Sequence, residues 1–467
     1  MKNKWVAAGL IVAVVTSILL IGPPHGVRPQ AWRLLALFAG TVLGLVLQPL
    51  PGGAIVLIGV TAVAASGTMP IGEALAGYAN PTVWLVLAAF FISRALIKTG
   101  LARRIALLFV RAIGHTSLGL AYALIGSDVV LASIIPSNAA RAGGVILPIT
   151  RSLAELYDSF PGRTAALLGA FLMVTVYQGD VIACTMFLTG QASNALIADM
   201  SAKTAVVPIT WGRWLWVALA PALVSLVLVP ALLHRIYPPE VKHTPAAAQF
   251  ARDRLAEMGP PARDERIVML IFLAVCGLWI TSSWHHLHTT LVAMVGVCAL
   301  FVTGVLTWED AISERGVWDV YIWYGGVVRL GEALNEQGVT TWMAGAIAPL
   351  LAGWHWPASL AVVLMIYFWS HYGFASITSH AVAMYPAFLA LMLAKGVPAP
   401  LAAHSLAYFA NLDAALTHYG TTPAPMYFGA GYLDQMTWWK LGFVVALVHI
   451  GVWGVVGFAW WKLIGLW

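Results

Sequence analysis

Apolar runs follow one another along almost the whole chain. They lie near 5–22, 31–47, 53–66, 81–97, 117–135, 163–190 and 212–234, then near 267–283, 287–306, 317–331, 339–352, 357–373, 381–394, 399–416 and 439–461. A helix needs about 20 such residues to cross the hydrocarbon core, so the chain has room for roughly ten to twelve crossings. Charged residues make up only 9% of it, against 60% hydrophobic, too few to cover a water-facing globule of this size. The runs are continuous rather than alternating, which argues against an outer-membrane barrel. The expected fold is an all-α, polytopic membrane protein. A soluble enzyme, a disordered chain and a single-span receptor are excluded.

The charge is placed as a membrane demands. Basic residues gather at Lys2 and Lys4, at Lys98, Arg103, Arg104 and Arg111, and at Arg235, Lys242, Arg252, Arg254, Arg263 and Arg266. The positive-inside rule puts these on the cytoplasmic side and accounts for the net +6 without a nucleic-acid partner. The polar stretch 236–266, with Pro238-Pro239 and Gly259-Pro260-Pro261, divides the chain. The expected parts are an N-terminal transmembrane helix (1–30) with a cytoplasmic N-terminus, a first repeat (31–235), a cytoplasmic linker (236–266) and a second repeat (267–467). Trp5–Gly22 reads as a retained helix, since Gly22-Pro23-Pro24 offers no cleavage site of small residues. Cys184, Cys276 and Cys298 lie in apolar runs with no CxxC spacing and read as core residues.

The two halves echo each other. Ala95-Leu96 through Gly100-Leu101 matches Ala333-Leu334 through Gly338-Val339, and Ser137-Asn138-Ala139 matches Ser379-His380-Ala381, with offsets of 238 and 242. Each half then meets a polar break in an apolar region, at Thr189–Asn194 and at Gly420–Pro425. Backbone cannot stay unpaired in lipid, so broken helices occur where they line a cavity. Paired breaks in two repeats point to a transporter site near the midplane.

The chemistry at the breaks suits an anion. Pro136 ends a helix and Ser137 and Asn138 cap the next, and exposed N–H groups at a helix start favour negative charge. Arg141 adds a permanent cation whose planar fork suits carboxylate. His371–Ala381 repeats the pattern with hydroxyls at Ser376, Thr378 and Ser379 and an imidazole at His380. Asp128, Asp180 and Asp413 are acids in apolar runs, fit to carry protons or to balance Arg141. His285-His286-x-His288 lacks a carboxylate partner, so no metal site is expected. There is no GxSxG, no HExxH and no cofactor motif, so no enzyme is expected.

The segments IPSNAARAGGVILPI (135–149), HYGFASITSHAVAM (371–384), ANLDAALTHYGTTPAPMYFGAGY (410–432) and WWKLGF (438–443) resemble the divalent anion/sodium symporter superfamily. They are most similar to its bacterial citrate/succinate and plastid 2-oxoglutarate/malate antiporter branch. The resemblance implies inverted repeats with re-entrant hairpins at about 136–150 and 374–395. It also implies scaffold and transport domains, an elevator movement, a homodimer and a lipid-embedded position in a bacterial inner membrane. By the motif match the substrate-binding residues are Ser137, Asn138, Ala139 and Arg141; Thr189, Ser193 and Asn194; Ser376, Thr378, Ser379 and His380; and Gly420, Thr421 and Thr422. The symporter branch has Ser-Asn-Thr at both tips and binds sodium beside them; here the second tip has Ser379-His380 and Arg141 follows the first, which implies exchange of di- or tricarboxylates without sodium. The other reading within the same fold is a Na+- or H+-coupled dicarboxylate or sulfate symporter. The chain departs from the family pattern at Ala139, Ala195, Asp413 and Thr422.

Overall fold

The computed structural model describes residues 2–467, all in helices, turns and connecting segments, with no strand among the described residues. Among the described residues, seven helices are long and apolar enough to cross a membrane: Lys4–Ile21, Pro29–Leu47, Pro81–Lys98, Gly169–Met186, Trp211–Ile236, Ile377–Ala394 and Gln435–Leu463. Three shorter apolar helices, Gly52–Ala65, Ser117–Ala132 and Thr289–Val302, join them. Seven long and three shorter apolar helices make ten, within the range the sequence has room for, but not every apolar run is one continuous helix. Much of the apolar sequence folds instead as pairs of helices separated by breaks.

The elements recur in order. Pro81–Lys98 and Leu101–Ile113 in the first half correspond to Arg315–Glu336 and Val339–Ile347 in the second. The junctions are Gly100 and Gly338, at φ +81° and +77°, a left-handed conformation that glycine adopts without steric cost. Ser117–Ala132 is followed by a π-helical stretch, Ala139–Ile146, that continues into Leu147–Glu155. Its counterpart is Trp356–Ser370 followed by Ile377–Ala394. The intervening segments, 133–138 and 374–376, are the sharp breaks. Gly169–Met186 and Ala192–Ala205 then correspond to Ala399–Leu412 and Ala424–Gly429, with breaks at 187–191 and 417–423.

Two apolar cores form. The smaller gathers Leu34, Ile55, Val56, Val60, Tyr324, Val327 and Val328 from Pro29–Leu47, Gly52–Ala65 and Arg315–Glu336. A side chain at Gly326 would meet Val56 Cγ1 at 2.4 Å, so the missing Cβ lets those helices approach closely, as small residues do in membranes. The larger core holds the broken helices, including the fully buried Trp214, Tyr177, Tyr408 and Trp438.

The polar linker packs against the first half. Thr116 bridges to His243, and Ser117 N–H donates to Lys242 O at 3.0 Å. Arg104 forks onto Glu265 at 3.0 and 2.9 Å and donates to Gly259 O. Thus helix Pro245–Met258 of the polar linker is clasped to Leu101–Ile113.

Candidate functional site

Four chain segments meet in a cavity of about 370 Å³. Pro136–Ala139 enters from the first hairpin, and Gln191–Ser193 from the first broken helix. Ser376–Ser379 enters from the second hairpin, and Thr421–Thr422 from the second broken helix. The opposite wall is Gln48, Gly52, Ile55, Gly316, Asp319, Val320 and Trp323. The site lies between the two cores, with the breaks on one side and the smaller core's helices on the other.

The sequence makes the breaks. Pro136 has no N–H, so the helix before it cannot run on. Ser137 Oγ then accepts from Ala140 N–H at 3.1 Å, and Asn138 Oδ1 from Ala139 N–H at 3.0 Å. Helix Ala192–Ala205 starts after Gln191, and Ile377–Ala394 starts after Ser376 with no side-chain cap. Three helix starts therefore face one space, with N–H groups that lack intrahelical partners. Each carries roughly +0.5 charge, about +1.5 together.

A polar chain ties the segments. Asn138 Nδ2 donates to Gln191 Oε1 (3.2 Å) and to Thr421 Oγ1 (3.0 Å). Gln191 Nε2 donates in turn to Asn411 Oδ1. One asparagine thus fixes a break from each half.

Nine of the expected residues line the cavity: Ser137, Asn138, Ala139, Ser193, Ser376, Thr378, Ser379, Thr421 and Thr422. Five do not. Thr189 accepts from Trp211 Nε1 and donates to Ser133 O, and Asn194 Nδ2 donates to the carbonyls of Cys184 and Phe187. Gly420 offers its carbonyl to His371. His380 is buried beside Asp413 and Ser370.

Arg141 is the largest departure from expectation. Its guanidinium is fully buried and does not reach the cavity. Nε donates to Asp128 (2.7 Å), Nη2 to Asp180 (2.6 Å), and Nη1 to Ile135 O (2.9 Å) and Gly190 O (2.8 Å). A cation 13 residues from Asp128 and 39 from Asp180 finds both because the hairpin folds it back between two helices. Ordinary desolvation cost requires such partners. The sequence left the acids either to carry protons or to balance Arg141, and Asp128 and Asp180 take the second role.

Sequence reasoning passed over Gln191 and Asn411 as contacts, and over Asp319, Gln48 and Trp323 altogether. Gln191 lay inside a recognised break. The others come from continuous helices or from a turn, and carry no local signal. Asp319 is the one acid on the lining, where its carboxylate accepts from Gly53 N–H at 3.1 Å. Among the described residues the lining holds no Lys, Arg or His. The polar character of the lining comes from helix starts, hydroxyls and amides.

The family model described as the Sodium:sulfate symporter transmembrane region matches residues 2–467. The chain belongs to this family. It is 44% identical over 465 residues to YflS of Bacillus subtilis (strain 168), provisionally named a malate transporter, covering 99% of this chain and 97% of that protein. It is 40% identical over 463 residues to "Dicarboxylate transporter 1, chloroplastic" of Spinacia oleracea, covering 98% of this chain and 81% of that one. Among solved structures, the YdaH transporter of Alcanivorax borkumensis, described as having an unusual topology, aligns with a TM-score of 0.53. The identity there is 13%, over 82% of this chain and 85% of that one, so the likeness concerns the fold alone. The family establishes a multi-pass membrane transporter of dicarboxylate-transporter kinship.

Proposed function

We propose that this protein exchanges dicarboxylates, and tricarboxylates of similar size, across a bacterial inner membrane as a homodimer, without sodium and by an elevator movement. The observation that carries the reading is the meeting of three helix starts and a hydroxyl-rich lining at a cavity with no basic side chain. About +1.5 of dipole charge suits a dianion. Donors from both hairpin tips suit a solute with a carboxylate at each end. The names of the relatives in Bacillus and spinach agree with that chemistry.

Sodium independence is supported by the carbonyls behind the tips. Unwound carbonyls are what coordinate sodium in transporters with broken helices. Here Gly190 O and Ile135 O are taken by Arg141, and Gly420 O by His371 Nε2 at 2.9 Å. Protein-borne donors occupy those oxygens in both halves. Exchange follows from desolvation. Without solute, the hydroxyls at the tips and the N–H groups that start Ala192–Ala205 and Ile377–Ala394, which have no side-chain cap, would cross the bilayer unpaired, at about 1–3 kcal/mol each. A bound dicarboxylate satisfies them, so the loaded carrier crosses and the empty one does not. An elevator is supported by the cavity's two walls, the four breaks on one side and residues of Gly52–Ala65 and Arg315–Glu336 on the other.

The test is uptake of labelled succinate into proteoliposomes, with and without internal succinate, in sodium-free and sodium-containing buffer. Uptake that requires internal dicarboxylate and ignores sodium is expected. Uptake into empty vesicles driven by a sodium or proton gradient would make this a symporter instead.

A further inference from the structure

A second cavity, of about 460 Å³, shares no lining residue with the cavity at the breaks. Five helices wall it: Pro29–Leu47, Ala192–Ala205, Arg315–Glu336, Val339–Ile347 and Ile377–Ala394. Each contributes hydrocarbon, as Phe38, Val42, Leu196, Val328, Met343 and Val382 show. A largely apolar cavity with a few placed polar groups is the usual form of a ligand site.

The polar lining residues are joined into one pole. Asp199 and Lys203 stand four apart on one helix, so they share a face, and Lys203 Nζ donates to Asp199 Oδ2 at 2.6 Å. Nζ also donates to Glu332 of helix Arg315–Glu336. Asn335 Nδ2 donates to Lys203 O at 3.2 Å, and Thr340 Oγ1 to Asn335 Oδ1 at 2.7 Å. Thr204 follows Lys203 in sequence, and the rest of the described lining is apolar. The cavity therefore has the form of an amphiphile. Its pole carries both signs. An ammonium has three N–H donors. Lys203 places two on Asp199 and Glu332, which leaves one for an anionic oxygen. Two carboxylates face one ammonium on the lining, which leaves room for a second cation. Arg329 stands 3.5 Å from Glu332 but gives its Nη1 hydrogen bonds to Glu336.

We propose that this cavity binds one membrane phospholipid with a primary ammonium headgroup, of the phosphatidylethanolamine class. Apolar cavities exclude water and take apolar ligands. Two of the walls, Pro29–Leu47 and Ile377–Ala394, are long and apolar enough to cross a membrane, so the hydrocarbon at hand is an acyl chain. The lipid phosphate would accept the third N–H of Lys203. The lipid ammonium would donate to Asp199 and Glu332, in charge-assisted hydrogen bonds of the stronger kind. A choline headgroup carries the cation without N–H donors, and a glycerol headgroup carries the phosphate without a cation, so neither matches both halves of the pole. A lipid seated there touches Ala192–Ala205 and Ile377–Ala394, the two helices that start uncapped at the other cavity. The inference goes beyond the exchange reading and stands or falls separately, because its readout is bound lipid and not transport.

The test is native mass spectrometry of delipidated full-length protein in detergent, titrated with dioleoyl phosphatidylethanolamine, phosphatidylcholine or phosphatidylglycerol. One ethanolamine lipid per chain should bind about tenfold tighter than either of the others, the effect of one charge-assisted hydrogen bond. Two variants place it. A side chain built at Gly331, on the lining, meets nothing within 4 Å at its Cβ, and glycine is a poor helix former. Gly331→Phe should therefore fill the cavity and abolish the tight lipid. Glu332→Gln should leave the cavity open but reduce the preference for ethanolamine over choline several-fold. If Gly331→Phe does not fold, the headgroup preference of Glu332→Gln still decides. Equal binding of the three lipids by the wild type would overturn the proposal. So would an ethanolamine preference that is unchanged in Glu332→Gln or in folded Gly331→Phe, since the lipid would then sit elsewhere.

Discussion

Replacing Arg141 by Met tests what the buried guanidinium does. The side chain makes four hydrogen bonds of 2.6–2.9 Å to two carboxylates and two carbonyls. Breaking a buried ion pair by removing one partner costs about 3–5 kcal/mol, and each orphaned carbonyl adds about 1–3 kcal/mol. The sum rivals the whole stability of a typical fold, about 5–15 kcal/mol. Arg141→Met alone should therefore unfold or fall by several degrees in the thermal midpoint, followed by tryptophan fluorescence in detergent. Adding Asp128→Leu and Asp180→Leu removes the stranded charges and should restore most of that loss, since apolar replacement of a buried ion cluster is often neutral or stabilising. The restored triple variant should still fail to exchange dicarboxylate in sodium-free vesicles, because Ile135 O and Gly190 O no longer have a protein-borne donor. A single Arg141→Met variant as stable as the wild type would refute the reasoning. So would normal sodium-free exchange by the triple variant.

Asn138→Ala unties Gln191 from Thr421 and should weaken dicarboxylate binding about tenfold, the effect of losing one to two hydrogen bonds of ordinary strength, read by equilibrium binding. A cysteine at Asn138 should be protected from a thiol reagent by succinate; equal labelling with and without succinate would put the solute elsewhere. Lys203 bridges helix Ala192–Ala205 to helix Arg315–Glu336 through Glu332, and also meets Asp199 at 2.6 Å. Glu332→Gln should depopulate this arrangement several-fold, a shift of about 1 kcal/mol for partly exposed groups, seen as less cross-linking between cysteines at Met200 and Val328. At the basic end, burial alone would raise the Asp310 carboxyl, but hydrogen bonds from Lys98 and Thr307 outweigh it and hold it down to about 2. A depressed carboxyl stabilises above its unfolded value of about 4 and loses that contribution as pH falls through its folded one. Asp310→Asn should therefore cost about 1 kcal/mol at neutral pH, and its thermal midpoint should converge with the wild type between about pH 4 and 2.

Much of the site was legible because its determinants are local. Pro136 and the following Ser137-Asn138 announce a break and a cap wherever they occur, and a polar break inside an apolar run has few meanings in a membrane. Gly100 and Gly338 marked the repeat because a left-handed junction selects glycine. What the sequence hid was partnership across distance. Arg141 looked like a free cation beside a tip, but its neighbours in space are Asp128 and Asp180, and of the two roles open to those acids, carrying protons or balancing Arg141, the fold selects the second. His380 likewise faces Asp413 rather than the cavity. The opposite wall at Asp319 and Trp323 comes from a continuous helix whose polar residue reads as any other, and only the fold brings it to the tips.

Saturable binding of labelled succinate to the purified protein in sodium-free buffer, wild type against Ser379→Ala with Thr421→Val, tests the central claim most directly. Both side chains line the cavity. Loss of hydrogen bonds to a charged carboxylate, about 1.5–3 kcal/mol each, should weaken binding by at least about tenfold. The wild type should bind equally well with and without sodium. Unchanged affinity in the double variant, or binding by the wild type only when sodium is present, would contradict a site built from helix starts and hydroxyls with its cations supplied by the protein.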